Sequence, residues 1–194
     1  KKVFMICYKY MKKYNIAIAV NLVDDVLYES NKILEILDKE YGINYIKNHQ
    51  PILHIALCSG LVDVDNMDFF LEKIKPILGD MSKFTLSLNG MGIFLGDEVN
   101  LHIRWLLTKN LVLLKNNIEK SLFSIWEANR KHNNQLYWLP KTSVAYRDLT
   151  YQNFNKINFD NIRIDTKCMD VKEISVIKFE ENKKEEIIKI LRIE

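Results

Sequence analysis

Residues 50–61 read QPILHIALCSGL and place one histidine, His54, inside an apolar segment. The segment is short and apolar, which is typical of a buried β-strand. Proline is tolerated at the first residue of a strand, so Pro51 fits a strand over residues 51–61. Successive side chains of a strand point to opposite faces, and His54 and Ala56 therefore share one face.

A second segment has the same layout. Residues 139–148 read LPKTSVAYRD, with a proline directly ahead of a polar residue. The alternation predicts a strand over residues 137–146 in which Lys141 and Ser143 share one face. The centres of the two segments lie 87 positions apart (141 − 54). The two strands are therefore expected in different halves of the fold.

Strand-like and helix-like segments alternate along the rest of the chain. Their order predicts an α+β fold of two related halves with mostly antiparallel sheets, and no linker interrupts a single domain over residues 1–194. The other predicted elements are a strand at 14–22, a helix at 24–41 stopped by Gly42, a helix at 65–78 capped by Asp65, strands at 84–88 and 92–95 around a turn or bulge at Asn89-Gly90, a strand at 100–107, a helix at 110–130, a loop at 131–134, a short helix near 151–157, a strand at 171–179, a solvated turn at 183–186 and a strand or helix at 186–193.

The composition is that of a globular chain. It has 194 residues, of which 48% are hydrophobic and 27% charged, enough for a substantial core. The net charge of +3 is too small to indicate duplex DNA but suits a small anionic ligand. No window reaches the ~20 apolar residues of a membrane span. The odd set of Cys7, Cys58 and Cys168 favours reduced thiols, so a cytoplasmic protein is expected.

Several common site motifs are missing from the sequence. We find no glycine-rich phosphate loop, no Cys/His metal spacing and no Gly-x-Ser-x-Gly motif. Neither a metal nor a cofactor is predicted.

Taken together, the two strands and their surroundings resemble the 2H phosphoesterases, a family that includes 2′-5′ RNA ligase-like proteins and RNA 2′,3′-cyclic phosphodiesterases. The family signature is two copies of His-x-Thr/Ser-x, each on a strand and one in each lobe. Residues 14–22 (YNIAIAVNL) resemble the family's opening strand, and residues 90–107 (GMGIFLGDEVNLHIRWLL) its Gly-x-Phe hairpin. The helix from Asn110 is in the expected place, so the resemblance covers nearly the whole chain.

The resemblance implies two pseudo-symmetric lobes of antiparallel strands, with outer helices, around a central groove. In that family two histidines flank a phosphodiester: one takes a proton from the attacking hydroxyl or water, and the other gives one to the leaving oxygen. Imidazole titrates near neutrality and suits both roles. The Thr/Ser hydroxyls bind the phosphate oxygens and can stabilise the developing charge, and no metal is required.

This chain departs from the signature at two of its four positions. His54 fits the first histidine and Ser143 the second hydroxyl, but Ala56 and Lys141 replace the other two residues. A free lysine has a pKa of ~10.4 and is charged at neutral pH, so Lys141 can bind phosphate as a point charge or act as a poor general acid. Loss of a general acid or base typically costs roughly 10²–10⁴-fold in rate. The combination favours holding a phosphate over cleaving it.

Four further residues are candidates for the ligand site. Phe94 is a core residue in most proteins, but in the family this position lies near the groove and could stack on a base. His102 and Arg104 share a strand face, which is either solvated or a second wall of the groove that contacts phosphate. Arg147 shares the face of Lys141 if that strand continues far enough, whereas Tyr146, at an odd spacing from Lys141, does not.

Three functions fit these observations. The first is a divergent family member that binds a nucleotide or a short oligonucleotide, cyclic forms included, with little or no turnover, as a sensor or a sponge. The second is an active phosphodiesterase acting on cyclic or 2′-5′ linkages, with His54 as base and Lys141 or a water as acid. The third is a protein-interaction domain on the same scaffold. None of the three fixes an oligomeric state.

Overall fold

The computed structural model describes residues 12–96, 98–129, 138–180 and 183–194. The strands are β1 (Lys13–Asn21), β2 (His54–Asp63), β3 (Phe84–Phe94), β4 (Asn100–Trp105), β5 (Glu127–Ala128), β6 (Lys141–Ala145), β7 (Cys168–Val171), β8 (Glu173–Phe179) and β9 (Glu186–Arg192). The α-helices are α1 (Asp24–Tyr41), α2 (Tyr45–His49), α3 (Met67–Gly79), α4 (Lys109–Leu122) and α5 (Tyr151–Phe154), and 3₁₀ turns lie at Val64–Asn66 and Phe159–Asn161.

The described strands form two antiparallel sheets. One has the order β5-β2-β1-β8-β9 and the other the order β6-β4-β3-β7. The α+β fold with antiparallel sheets is therefore confirmed. The sheets are not consecutive halves of the chain, as the sequence order suggested, because β8 and β9 return from the end of the chain to pair beside β1. Hydrophobic alternation tells which side of a strand is buried, but it does not tell which strand lies next to it.

Helix α1 illustrates where local signals decide the structure. It begins at Asp24 and ends at Tyr41, as predicted, and Gly42 follows in the left-handed conformation with φ 68°. The N–H of Gly42 bonds to the carbonyl of Asp38, which closes the helix with a glycine C-cap. Val26, Ile33 and Leu37 are buried against the core.

A β-bulge in β2 changes which residues share a face. Ile18 of β1 lies opposite Cys58, but its neighbour Ala19 lies opposite Ala56, so Leu57 is the extra residue. From Cys58 onward, each residue points to the face opposite to the one that simple alternation from His54 predicts. Ser59 therefore lies on the same face as His54, although simple alternation puts it on the other.

Three other predicted elements are modified in the structure. The helix expected at 65–78 begins as a 3₁₀ turn and becomes α3 only at Met67, and Pro76 lies within it without ending it. The two short strands around Asn89-Gly90 are one strand, β3, with an irregular register at that point and Gly90 at φ 72°. Helix α4 ends at Leu122, well before residue 130.

Other predictions have simpler outcomes. The last segment is the strand β9, paired with β8, so the helical alternative is wrong. The loop predicted at 131–134 and Cys7 lie outside the described residues, while Cys58 is a buried free thiol and Cys168 an exposed one. None of the helices in the described part of the chain has the length and hydrophobicity that a bilayer crossing requires.

Candidate functional site

A groove of about 480 Å³ is lined by strands of both sheets. Strand β2 contributes His54 and Ala56, and β6 contributes Lys141 and Ser143. The two predicted motifs, 87 positions apart, thus meet at one site. The remaining lining residues are Asn15, Ala17, Ile46, Gln50, Ile52, Leu53, Ser59, Phe94, Asn129, Trp138, Leu139, Tyr146, Phe179 and Glu185.

The His54 imidazole has a defined tautomer. Its Nδ1 lies 2.6 Å from the carbonyl oxygen of Ile52. A carbonyl can only accept a hydrogen bond, so Nδ1 carries the proton and Nε2 keeps its lone pair in the neutral ring. Burial, together with the charge of Lys141, lowers the pKa of His54 below 6.5. At neutral pH the ring is therefore a neutral proton acceptor at the groove.

Lys141 is a cation with no anionic partner in the described part of the chain. Its Nζ donates a hydrogen bond of 2.9 Å to Ser143 Oγ and lies 5.8 Å from the centre of the Phe94 ring. Burial lowers the pKa of Lys141 to about 8. A buried charge without a counter-ion is unfavourable, so this ammonium group is suited to receive an anion.

The Ser143 hydroxyl is held by neighbouring side chains. Besides the bond from Lys141, it accepts a 3.0 Å hydrogen bond from Asn100 Nδ2. With its oxygen occupied by two donors, the hydroxyl keeps its own proton as a donor, and the Asn100 carbonyl oxygen, at 3.4 Å, takes it only weakly. Ser143 can donate this proton to an oxygen atom of a ligand.

His102 packs in the interior against Phe94 and does not line the groove. It lies opposite both Ser143 and Gly92 in the sheet, is 1% exposed, and its ring centre is 4.5 Å from that of Phe94. Burial lowers the pKa of His102 to about 4, so the ring is neutral. It is neither on a solvated sheet face nor on a groove wall, because Phe94 packs against it and Gly92, without a Cβ, lets its Nε2 approach closely.

The other predicted residues are distributed around the groove. Phe94 lines it, with 44% of its surface exposed, so it is not a core residue. Arg104 is exposed and lies opposite Lys141 but does not line the groove. Within β6, Ser143 lies opposite His102 but Ala145 lies opposite Leu101, so Val144 is an extra residue that shifts the alternation by one position. Tyr146 consequently lines the groove, contrary to the sequence expectation, whereas Arg147 lies in an adjoining depression.

Glu185 is a groove residue that the sequence did not reveal. The turn at 183–186 is predicted to be solvated, but Glu185 Oε2 accepts a hydrogen bond of 3.3 Å from the N–H of Ile52. Its Oε1 is buried and has no hydrogen-bond partner among the described residues. Burial raises the pKa of Glu185 to about 7. Nothing in the charged run KKEE distinguishes this glutamate from its neighbours.

Two further residues of the groove wall are Trp138 and Ser59. Trp138 is half-buried in the groove wall and donates a hydrogen bond of 3.0 Å from Nε1 to the carbonyl of Ala56. Ser59 reaches the groove because of the bulge in β2. Within the described ranges, no group of three or more His, Cys, Asp and Glu side chains could hold a metal ion. The groove offers a proton acceptor, an ammonium group and a hydroxyl, which is a set suited to a phosphate.

The chain resembles known proteins in its three-dimensional structure. No family model matches the chain, and no curated protein sequence is significantly similar to it. TT0787 of Thermus thermophilus superposes with a TM-score of 0.67 and 12% identity over 92% of this chain and 97% of that chain. E. coli LigT complexed with ATP superposes with a TM-score of 0.58 and 16% identity over 94% of this chain and 99% of that chain. LigT complexed with 3′-AMP superposes with a TM-score of 0.59 and 17% identity over the same shares of the two chains. This chain thus shares its fold with E. coli LigT, with TT0787 and with a protein solved as a phosphoesterase, in agreement with the fold that the resemblance to the 2H phosphoesterases implies.

Proposed function

We propose that the protein binds the phosphodiester of a nucleotide or short oligonucleotide in this groove, with catalysis impaired or lost. One observation carries the proposal: His54 from one sheet and Lys141 and Ser143 from the other line the same groove. Three groups that favour a phosphate are brought together by two strands that are distant in sequence. Such a convergence of polar groups in a concave site is typical of a ligand site.

The electrostatics of the groove favour an anion. Lys141 has no carboxylate partner among the described residues, and a phosphate oxygen would supply one. Phe94, Tyr146 and Trp138 add aromatic surface on which a base can stack. The structurally similar E. coli LigT has been solved with ATP, phosphate, NADP+ and 3′-AMP. A small nucleotide ligand fits all of these observations.

The reduced set of catalytic groups argues for binding without efficient turnover. The groove has one motif imidazole, and Ala56 provides no hydroxyl opposite Ser143. Loss of one acid or base group costs roughly 10²–10⁴-fold in rate. The protein would then act as a sensor or as a sponge that retains its ligand intact. The free thiols of Cys58 and Cys168 fit the reducing cytoplasm expected for this role.

A second candidate, an active phosphodiesterase, is favoured by one specific observation. The pKa of Lys141 is lowered to about 8, much closer to neutrality than that of a free lysine. An ammonium group with such a pKa is a better proton donor to a leaving oxygen. In this function His54 Nε2 takes the proton of the nucleophile, and Lys141 protonates the leaving group.

A retention experiment separates these functions. The protein is incubated with 2′,3′-cyclic, 2′-5′-linked, and cyclic di- and trinucleotides, then filtered, and both fractions are denatured and chromatographed. Ligand that is retained and recovered intact supports the proposal. Ligand converted to an opened product, with conversion abolished by His54→Ala, supports the phosphodiesterase. A protein that retains and converts none of the panel overturns both and favours the protein-interaction domain.

A further inference from the structure

The groove continues into a second compartment. This adjoining depression measures about 560 Å³ and includes Tyr45, His49 and Arg147 in its lining. Four residues line both spaces and mark the boundary between them: Asn15, Gln50, Phe179 and Glu185. Lys141 lines only the first space, and Arg147 lines only the second. We call the second space the Arg147 compartment.

Arg147 is a cation without an ion pair in the described part of the chain. Its guanidinium carbon lies 5.0 Å from the centre of the Tyr45 ring and 5.3 Å from that of Tyr146. Its Nε donates a hydrogen bond of 2.7 Å to the Tyr146 hydroxyl. Glu98 influences Arg147 electrostatically but makes no ion pair with it. The terminal nitrogens of the guanidinium group therefore remain available for an anion, which they can bind in a bidentate manner.

The other charges of the Arg147 compartment compensate one another. Lys183 pairs with Glu180, and Lys178 pairs with both Glu180 and Glu186, so two lysines are matched by two glutamates. These two lysines hold the pKa of Glu180 at about 2. Glu185, at the boundary, has a pKa of about 7 because of its burial and carries only part of a charge at neutral pH. Arg147 thus supplies the uncompensated positive charge of this space.

The backbone holds Arg147 and Tyr45 in a fixed relation. Asp148 Oδ2 accepts hydrogen bonds of 2.6 Å from the N–H groups of Asn44 and Tyr45, which ties the segment after β6 to the start of α2. Arg147 itself has φ 65°, a left-handed conformation that is unfavourable for a residue with a side chain. Such strain persists only where the surroundings hold it, and the next residue, Asp148, is anchored by these two bonds. The guanidinium group itself is held by its hydrogen bond to the Tyr146 hydroxyl and by its contacts with the two rings.

We infer that the Arg147 compartment binds a second phosphate, so that the ligand is an oligonucleotide of at least two nucleotides and not a nucleoside monophosphate. The inference rests on the proposed function, which assigns the first phosphate to Lys141. Each space has one cation without a counter-ion among the described residues, and neither cation lines both spaces. A single phosphate leaves one of these cations unpaired, whereas a ligand with a second phosphate can offer an anion to each.

The test compares a ligand with one phosphate and a ligand with two. Binding of AMP and of the linear dinucleotide pApA is measured by titration calorimetry at three salt concentrations. Arg147→Ala should weaken pApA binding by about tenfold or more, the effect of losing a charge-assisted hydrogen bond, and change AMP binding less than about twofold. The salt dependence of log K for pApA should also become shallower by roughly 0.7, the slope of one phosphate contact in a single strand.

Two controls accompany this variant. Arg163→Ala removes the same charge from an exposed site outside both spaces and should change neither affinity. Arg147→Gln keeps most of the side-chain volume without the charge and should behave like Arg147→Ala, even if the alanine variant proves unstable. Equal losses for AMP and pApA, or no loss for pApA, overturn the inference while the proposed function stands. Failure of the wild type to bind either ligand overturns both.

Discussion

Lys141 and Ser143, two residues apart on β6, are joined by a hydrogen bond of 2.9 Å from Nζ to Oγ. This bond is the only hydrogen bond of the half-buried lysine's ammonium group in the described part of the chain, and it is to a neutral oxygen. The protein therefore keeps a positive charge in a place where folding alone would favour an apolar residue. A group that lowers stability in this way is best explained by an interaction with a ligand.

Replacing this lysine by an apolar residue should stabilise the protein. Lys141→Met removes the buried charge and should raise the free energy of unfolding at pH 7 by roughly 1–3 kcal/mol. The same variant should lose the affinity for a nucleotide. Thermal unfolding and ligand titration on one sample measure both effects. Lys172→Met, at an exposed lysine outside the groove, is the control and should change neither. A destabilised Lys141→Met protein would contradict the account of Lys141 as a ligand group that lowers stability.

The titration of Lys141 also gives stability a defined pH dependence. Its pKa is about 8 in the folded protein and 10.5 in its ordinary environment. Between these values the unfolded chain binds more protons than the native state, so stability should rise as pH increases from about 8 to 10.5. Chemical unfolding at several pH values should show this rise in the wild type and not in Lys141→Met.

Affinity for an anion should depend on pH in the opposite direction. The dinucleoside monophosphate ApA has a phosphodiester whose charge is constant in this range. As Lys141 loses its proton around pH 8, the affinity for ApA should fall about tenfold between pH 7 and pH 9. Lys141→Arg keeps its charge at both values and should bind with nearly constant affinity. A fall of the same size in the arginine variant would assign the effect to another group.

Glu185 should produce a second pH effect on stability. Burial raises its pKa from 4.5 to about 7, so the native state binds more protons than the unfolded chain between these values. The contribution of Glu185 to the free energy of unfolding should therefore be most favourable below about pH 4.5. It should decrease by roughly 1–3 kcal/mol as pH rises to 7. Glu185→Gln should remove this decrease, whereas Glu40→Gln, at an exposed glutamate, should leave it unchanged.

Much of the fold follows from local signals in the sequence. The helix at Asp24–Tyr41 has its observed ends because Gly42 can adopt the left-handed conformation that closes it. The faces of His54 and Lys141 follow from strand alternation, since both lie before any irregularity of their strands. The resemblance to a known family then supplied what alternation cannot, namely that these two strands face one groove.

The rest of the site depends on features that a sequence does not display. Ser59 reaches the groove through a bulge at Leu57, and Tyr146 does so through a register irregularity at Val144. Glu185 is buried only because the segment before β9 folds back to the backbone of Ile52. His102 is buried because Phe94, from the neighbouring strand, packs against it. Each of these outcomes is decided by tertiary contacts and not by the local pattern.

The absence of a side chain at Gly92 should be necessary for this packing. A Cβ at this position would lie 2.5 Å from Arg104 Cδ and 2.7 Å from Nε2 of the buried His102. Gly92→Ala should therefore cost roughly 1–3 kcal/mol of stability and displace Phe94 at the groove. Gly96→Ala is the matched control, because a Cβ there meets nothing within 4 Å. Urea unfolding of both variants measures the difference, and equal stabilities would contradict the close packing of His102.

Restoring the family signature provides the strongest test of impaired catalysis. The double variant Ala56→Thr, Lys141→His places a hydroxyl and an imidazole at the two positions where this chain departs from the His-x-Thr/Ser pattern. Both positions line the groove, so the new groups should reach the ligand bound between the sheets. If the lysine and the alanine are what limit catalysis, turnover of a 2′,3′-cyclic nucleotide should increase by about 10²-fold.

Adding His54→Ala to the double variant should abolish this gain, since the second imidazole needs the first as its partner. A wild type that already turns the substrate over as fast as the double variant would show that Lys141 serves as an effective acid, and the phosphodiesterase would then be the correct function.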